Sequence, residues 1–126
     1  MGCDINSYFE GLDNGTWYFL KQWDIRRSYQ IFSKMSDGHG RGSETPISRA
    51  KGFPADISFV VLRMAEDWGS DFHSKSWLSS KELEELRKWF EQIGAIEQQW
   101  EIEKCRDYFI NRLKFEDYRL VFAFDN

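Results

Sequence analysis

The last ten residues form an alternating run that constrains the fold more than any other segment. In an extended chain one side of this run is apolar throughout: Tyr118, Leu120, Phe122 and Phe124. The other side is apolar at its centre and charged at its ends: Arg119, Val121, Ala123 and Asp125. A strand with two largely apolar sides is typical of the interior of a sheet. The sequence therefore predicts that residues 117–126 form a central strand around which the chain is built.

A second signal lies near the start of the chain. Residues 2–12 and 16–25 read as two strands separated by Asp13, Asn14 and Gly15. Asn-Gly between two such runs is typical of a tight β-hairpin, because both turn residues tolerate a positive φ. We therefore expect two antiparallel strands that are joined at Asn14 and Gly15.

Helical spacing and loop signals divide the middle of the chain. The spacing of apolar residues predicts a short helix over 27–35, followed by a long glycine-rich loop. A second helix is predicted to begin at Pro54 and to end near Trp68, since proline suits the first helical position. Residues 71–78 show no clear periodicity, and we expect an irregular segment there.

Two helices are predicted in the later part of the chain. Ser79 and Glu82 have the spacing of a capping box, and Gly94 is placed to end that helix after Ile93. Its buried side is predicted to carry Leu83, Leu86, Phe90 and Ile93. A further helix over 95–113 would turn four residues inward: Ile102, Cys105, Phe109 and Leu113.

These elements predict a single α+β domain over residues 1–126. The simplest arrangement is a three-stranded antiparallel sheet in the order 2-1-3, with about four helices packed on one face. The last strand then lies beside the first. If that pairing is antiparallel, Asp4 and Asn6 come close to Asp125.

Charge and cysteine content limit the function classes. Twenty-one acidic and 17 basic residues give a formal net charge of −4, which argues against direct binding of nucleic acid and fits a protein that presents acid to a basic partner. Cys3 and Cys105 are too few for a disulfide framework, so we expect a cytosolic location. The sequence has no apolar run of membrane-spanning length, and we expect no membrane contact.

The shared end of the terminal strands raises the hypothesis of a small acidic site. Asp4, Asn6 and Asp125 would lie there, and the segment 71–76 could bring His73 over them. Carboxylates with one imidazole are ligands of divalent metals or form an acid–base pair. No fixed ligand spacing accompanies them. The alternative is that these side chains hydrogen-bond loop backbone and close the corner of the sheet.

Other residues indicate a protein interface. Trp89 and Trp100 fall off the apolar stripes of their helices, and exposed tryptophan is a common interface anchor. The alternative is a two-sided helix wedged between neighbours. Glu97 and Glu101 lie on the charged face of the last helix, and Arg41 lies in the glycine-rich loop, which lacks the ending of a phosphate-binding loop. These five residues are our candidate partner contacts.

Four segments together resemble a known family: Met1 to Ile5, Gly40 to Asp56, Asp71 to Leu78, and Arg119 to Asn126. The resemblance is to small uncharacterised phage and prophage proteins that begin Met-Gly-Cys-Asp-Ile-His and end Phe-Asp-Asn. It implies that Asp4, His73 and Asp125 are motif positions. In this chain Asn6 stands where the family has histidine and Ala123 where it has tryptophan. The first departure removes the best potential metal ligand.

Two function classes follow. In the first, the protein is a phage or mobile-element accessory factor without enzyme activity or cofactor, which binds a host protein in the bacterial cytosol. Inhibition of a host defence nuclease, of the anti-CRISPR kind, is a concrete instance, in which acidic helices and tryptophan anchors occupy a basic surface. In the second, Asp4, His73 and Asp125 hold a divalent metal in a hydrolase of phosphoesters or nucleotides. We favour the first class.

Overall fold

A central antiparallel sheet organises the chain, as expected, but it has four strands within the described residues. The computed structural model describes residues 2–37, 42–67 and 72–125. Its strands are β1 (Asp4–Asp13), β2 (Thr16–Trp23), β3 (Phe72–Ser79) and β4 (Asp117–Asp125). Its helices are α1 (Tyr29–Met35), α2 (Phe59–Glu66), α3 (Ser80–Ile93) and α4 (Ile96–Arg106), which continues into a π-helical segment (Asp107–Arg112).

The strand order is β2-β1-β4-β3, with every neighbouring pair antiparallel. The predicted pairing of the terminal strands and the α+β class are confirmed. The predicted three-stranded sheet is wrong, because residues 72–79 pair with the outer side of β4. A register shift between His73 and Ser76, with Ser74 at a φ of 57°, breaks the alternation by which a strand is recognised.

Local signals at the turns and helix ends account for the best predictions. Asn14 and Gly15 have φ values of 49° and 82°, as a tight hairpin turn requires. Ser79 and Glu82 form the predicted capping box at the start of α3, and Gly94 ends the helix in the left-handed conformation. These contacts determine where β3 ends and α3 begins, and where α3 ends before α4.

Two helices begin later than predicted because serine caps them. Ser28 accepts a hydrogen bond from the Ile31 amide at the start of α1, and Ser58 accepts one from the Val61 amide at the start of α2. Pro54 therefore precedes α2 instead of opening it. The consequence is a non-helical segment at 51–58 that lies against the sheet.

The sheet is covered on both faces, which corrects the expectation that the helices share one face. On one face, α1, α3 and α4 bury a core that includes Phe32, Phe90 and Ile102 against Phe9 and Phe122. We call this the helix face. On the other face, Val61 of α2 packs with two strand residues, and Phe53 and Ile57 pack around them. We call this the α2 face.

Two predicted core residues are exposed, Ile93 and Leu113. Ile93 is the last residue of α3, so its side chain projects beyond the core that Leu86 and Phe90 occupy. Leu113 follows the π-helical segment, whose wider turn changes the angular position of later residues. The remaining predicted inward residues of these helices are buried.

Candidate functional site

The structure brings together part of the predicted acidic corner. Asp4 lies directly opposite Asp125 in the β1–β4 ladder, and Asn6 lies opposite Ala123. His73 lies opposite Phe124, and their rings are 6.3 Å apart. Directly opposite residues share a face of the sheet, whereas successive residues of a strand alternate. His73 is therefore on the helix face with Phe124, while Asp4 and Asp125 are on the α2 face.

The Asp4 carboxylate is already engaged. Arg27 donates from Nε to Oδ1 and from Nη2 to Oδ2, both at 2.9 Å. This bidentate hydrogen bond lowers the pKa of Asp4. Among residues 2–37, 42–67 and 72–125, no three His, Cys, Asp or Glu side chains form a group that could hold a metal ion. The partner of Asp4 is thus an arginine side chain, and not the loop backbone that the alternative expected.

A different charged cluster lies further along the same strand pair, on the α2 face. Arg119 of β4 donates from Nε to Glu10 of β1 at 2.7 Å, and from Nη1 to Asp56 at 2.8 Å. Its Nη2 donates to the backbone oxygen of Asp56 at 3.2 Å, and the second oxygen of Glu10 accepts the Ser58 amide at 2.8 Å. Glu10 and Arg119 are buried. We call Glu10, Arg119 and Asp56 the charged triad.

The charged triad holds the segment 51–58 against the sheet. Burial of two charges is expensive, and the cost is offset only where hydrogen bonds satisfy the ionised groups. Both carboxylate oxygens of Glu10 and all three nitrogen positions of the Arg119 guanidinium have partners. Hydrogen bonding from Arg119 also lowers the pKa of Asp56, and the Trp17 side chain adds to that effect. Hydrogen bonds therefore engage both oxygens of Glu10 and three of the five N–H groups of Arg119.

A cavity of about 710 Å³ opens beside the triad, where β2, β3 and β4 meet the segment 51–56. We call it the triad cavity. Trp17, Phe53 and Trp77 supply its aromatic walls. The Arg119 guanidinium carbon lies 3.9 Å from the Trp17 ring centroid, and Lys51 Nζ lies 4.0 Å from that of Trp77. The cavity therefore combines aromatic faces with charges whose positions are fixed.

Sequence reasoning missed the triad, although a signal for it was present. Glu10 follows the apolar pair Tyr8 and Phe9 in the first strand, and Arg119 interrupts the apolar run of the last strand. The antiparallel register that places Asp4 opposite Asp125 also places Glu10 opposite Arg119. Opposite charges at paired positions in two central strands predict a buried ion pair.

The predicted interface tryptophans differ in their environments. Trp100 is 63% exposed on α4, and Ile96, one turn earlier on the same side of the helix, is exposed as well. Ile93, at the end of α3 and three residues before Ile96, is also exposed. Trp89 is buried, which corrects its assignment as a partner contact: Lys34 of α1 lies 5.8 Å from its ring centroid. Trp89 thus follows the alternative of a two-sided helix. We call Ile93, Ile96 and Trp100 the Trp100 patch.

The two acidic candidate contacts, Glu97 and Glu101, differ in exposure and in ion pairing. Glu97 is exposed beside Trp100, and no cation in the described part of the chain lies within ion-pair distance of it. Glu101 is largely buried, and it pairs with Lys21 at 2.7 Å and with Lys104 at 3.3 Å. Burial opposes ionisation of Glu101, but hydrogen bonds from Lys21 and Cys105 outweigh it and lower the pKa. Glu101 therefore joins α4 to β2, and this corrects its assignment as an exposed acid.

Arg41, the remaining candidate contact, lies outside the described residues. Burial raises the pKa of the Cys105 thiol to about 12, and its hydrogen bond to Glu101 adds to the effect. Cys105 is thus a protonated core residue at neutral pH, without the thiolate that nucleophilic chemistry requires.

Comparison with profiles of protein families, with curated proteins and with solved structures finds no match to this chain. None of the helices within 2–37, 42–67 and 72–125 has the length and apolar character needed to cross a bilayer.

Proposed function

We propose that this protein is a phage or mobile-element accessory factor that binds a host protein in the bacterial cytosol and inhibits it. The partner is expected to carry a basic surface, and a defence nuclease complex is the concrete instance. The resemblance of the chain ends to phage proteins motivates the biological setting. The observation that carries the binding function is the Trp100 patch.

The Trp100 patch has the composition of an interface anchor. Trp100 offers a large, rigid aromatic surface, and Ile96 and Ile93 extend it along the edge of the α3–α4 pair. Tryptophan is enriched among the residues that dominate binding energy, because it buries much area at a small entropic cost. Contiguous exposed apolar residues on a soluble protein are typical of interaction sites.

Charge near the patch favours a basic partner. Glu97 precedes Trp100 by one helical turn and is exposed, while the whole chain carries a formal net charge of −4. Acid on the rim of an interface steers a positively charged partner into place and rejects nucleic acid. By contrast, Glu84 and Glu103 are already paired with Arg87 on the same helix pair. Glu97 is accordingly the carboxylate that a partner would meet first.

The mechanism of inhibition is steric. A basic surface that serves nucleic acid attracts an acidic protein by the same electrostatic force. Once the Trp100 patch is seated there, nucleic acid and the inhibitor exclude each other. The metal-dependent hydrolase is not supported as a second function, because His73 lies on the opposite face of the sheet from Asp4 and Asp125.

The test is capture of a host protein followed by a defined competition. The bait is the full chain, with Trp100→Ser as the test variant and Tyr18→Thr as the control, since Tyr18 is also an exposed aromatic but lies on β2. We expect a partner that the wild type and Tyr18→Thr capture and that Trp100→Ser loses. The purified partner should release the protein when a duplex oligonucleotide is added. The Kd of the complex between the protein and its partner should increase with the salt concentration.

Two results would contradict the proposal. Equal capture by wild type and Trp100→Ser would remove the patch from the interface. Simultaneous binding of the protein and the oligonucleotide to the partner would remove the steric mechanism. A Glu97→Gln variant then separates charge from area, because we expect it to slow association without abolishing capture.

A further inference from the structure

Two irregular stretches of backbone meet on the helix face, at the edge of the sheet that β2 forms. In β2, Phe19 and Lys21 lie opposite consecutive residues of β1, so Leu20 between them is an extra residue and forms a β-bulge. Across from the bulge, α4 continues as the π-helical segment Asp107–Arg112. β-bulges and π-helical turns both occur often at functional sites, because each changes the direction of nearby side chains. A place where the two meet is therefore a candidate site.

The β-bulge directs Leu20 and Lys21 to the same face of the sheet. Successive side chains of a regular strand alternate between the two faces. Leu20, however, packs against the core of the helix face, and Lys21 lies opposite Phe9, which belongs to the same core. Gly11 leaves the space that Leu20 occupies, since a Cβ atom there would lie 2.7 Å from Leu20 Cδ1. The bulge thus places an apolar side chain and a cation side by side.

A cavity of about 310 Å³ lies between the bulge and the π-helical segment. We call it the bulge cavity. Its lining is mostly apolar and consists of side chains from β2 and from the end of the last helix: Leu20, Lys21, Lys104, Cys105, Tyr108 and Phe109. The two lysines contribute alkyl stems to this lining. The volume lies at the lower end of the range of small-molecule sites, roughly 300–1,000 Å³, so the cavity suits a small ligand with an apolar body.

The charged groups at the bulge cavity carry an excess of positive charge. The lining includes two lysines and no carboxylate, and both lysines pair with the same acid, Glu101, at 2.7 Å from Lys21 and 3.3 Å from Lys104. In the part of the chain that the structure describes, no second carboxylate lies within ion-pair distance of either lysine. An ammonium has three N–H donors, so each lysine keeps donors for another oxygen. Both lysines are exposed, so a ligand can reach them.

The shape and the charge of the cavity together select the class of ligand. An inorganic anion would pair with the lysines but leave the apolar walls uncovered. A neutral apolar molecule would cover the walls and leave the lysines as they are, whereas an organic cation would meet two like charges. A molecule with a hydrocarbon chain and one carboxylate matches both features.

We infer that the bulge cavity binds a medium-chain aliphatic carboxylate as a free small molecule. Its hydrocarbon chain packs against Leu20, Tyr108 and Phe109. Its carboxylate accepts hydrogen bonds from Lys104 and Lys21. Burial of the CH₂ groups supplies most of the affinity, and the charge-assisted hydrogen bonds fix the orientation. This binding involves no host protein, so it is independent of the partner binding proposed above.

The experiment follows the leucine and valine methyl signals of the full chain by ¹H–¹³C NMR during titration with sodium octanoate at neutral pH and constant ionic strength. The Leu20 methyl signals should shift saturably, with a Kd on the order of 1 mM. The methyl signals of Val61, which is buried on the α2 face, are the internal control and should not move. The Kd should fall about fourfold for each CH₂ group added between butanoate and octanoate.

Ligands with other head groups test the role of charge. Octanol keeps the chain and lacks the charge, so it should bind about fivefold more weakly than octanoate. Octylammonium reverses the charge and should bind more weakly still. Acetate, which has the carboxylate without the chain, should leave the Leu20 signals in place.

Two variants at exposed positions test the two parts of the site separately. Lys104→Gln removes a charge, so the Kd for octanoate should rise about fivefold while the Kd for octanol should not change. Lys81→Gln is the matched control, because Lys81 is an exposed lysine of α3 that does not line the cavity. Tyr108→Ser removes part of the apolar wall and should weaken the binding of octanoate and octanol alike.

Three results would overturn the inference. The first is the absence of a saturable shift of the Leu20 signals with octanoate. The second is binding of octanol or octylammonium that is as tight as that of octanoate, since the lysines would then select nothing. The third is wild-type affinity for octanoate in both Lys104→Gln and Tyr108→Ser when both variants are folded.

Discussion

Two carboxylates of β1 each accept a hydrogen bond from an arginine, and the two ion pairs differ in burial. Asp4 and Arg27 meet through two hydrogen bonds of 2.9 Å, and their side chains are 59% and 48% exposed. Glu10 and Arg119 meet at 2.7 Å, and their side chains are 0% and 4% exposed. The two charges of the exposed pair are hydrated whether or not the pair forms, so its loss changes the free energy of unfolding little. The buried pair has left water, so each partner depends on the other.

The largest expected effect follows from breaking the buried pair. Arg119→Met leaves the Glu10 carboxylate buried without a cation and should lower the free energy of unfolding by about 3–5 kcal/mol. Urea unfolding monitored by tryptophan fluorescence measures the change. A loss below about 1 kcal/mol would show that burial does not couple the two charges.

A double variant sharpens this result. Glu10→Leu with Arg119→Met removes both charges, so no uncompensated ion remains in the core. We expect it to be about 2 kcal/mol more stable than Arg119→Met alone. If the double variant is as unstable as the single one, lost packing of Arg119 on Trp17 is responsible, and not charge.

An intermediate effect should appear at acid pH through Asp56, whose side chain is exposed although its partner is buried. Hydrogen bonding from Arg119 lowers the pKa of Asp56 below its ordinary value of about 3.9. The ionised carboxylate therefore stabilises the fold at neutral pH, and the contribution is lost as pH falls through the lowered pKa. Asp56→Asn should cost about 1 kcal/mol at pH 7, after allowance for solvent screening.

The check is a series of melting curves between pH 7 and about pH 2. The difference in Tm between wild type and Asp56→Asn should shrink below about pH 4, because the wild-type carboxyl becomes neutral there as well. A constant difference across the series would show that Asp56 acts through contacts unrelated to its charge.

The smallest effect is expected at the exposed pair. Arg27→Met is the matched control for Arg119→Met, since both replace an arginine that meets a carboxylate of β1. Solvent already screens the Asp4–Arg27 interaction, so Tm at physiological salt should stay within experimental error of the wild type. A decrease comparable with that of Arg119→Met would invalidate burial as the explanation for the difference between the two pairs.

The sequence predicted those parts of the fold that local chemistry determines. Asn14 and Gly15 specify their turn through positive φ, and Ser79 with Glu82 specifies a helix start through reciprocal hydrogen bonds. The terminal strands were predicted as neighbours because the last strand must pair and the first strand is its natural partner. The second partner, β3, was missed because Ser74 and the register shift interrupt its alternation.

The candidate site was harder to predict, because tertiary packing decides it. Trp89 and Trp100 both fall off the apolar stripes of their helices. Trp89 is nevertheless buried, with Lys34 over its ring, whereas Trp100 is exposed. The metal hypothesis expected an irregular segment to bring His73 over Asp4 and Asp125. His73 instead lies within β3 and on the opposite face of the sheet, and that face depends on the register of β3, which the sequence did not reveal. Glu10 and Arg119 were within reach, since the predicted pairing of Asp4 with Asp125 implied theirs.

The central β1–β4 pairing also affects how the protein is made. Glu10 and Arg119 are 109 residues apart in the chain, so β1 leaves the ribosome long before its neighbour in the sheet is synthesised. Until then β1 and β2 form only a two-stranded hairpin, which is marginally stable alone and leaves Phe9 and its apolar neighbours uncovered. Folding must therefore be largely post-translational and governed by long-range closure, and it depends on protection of the nascent hairpin from aggregation.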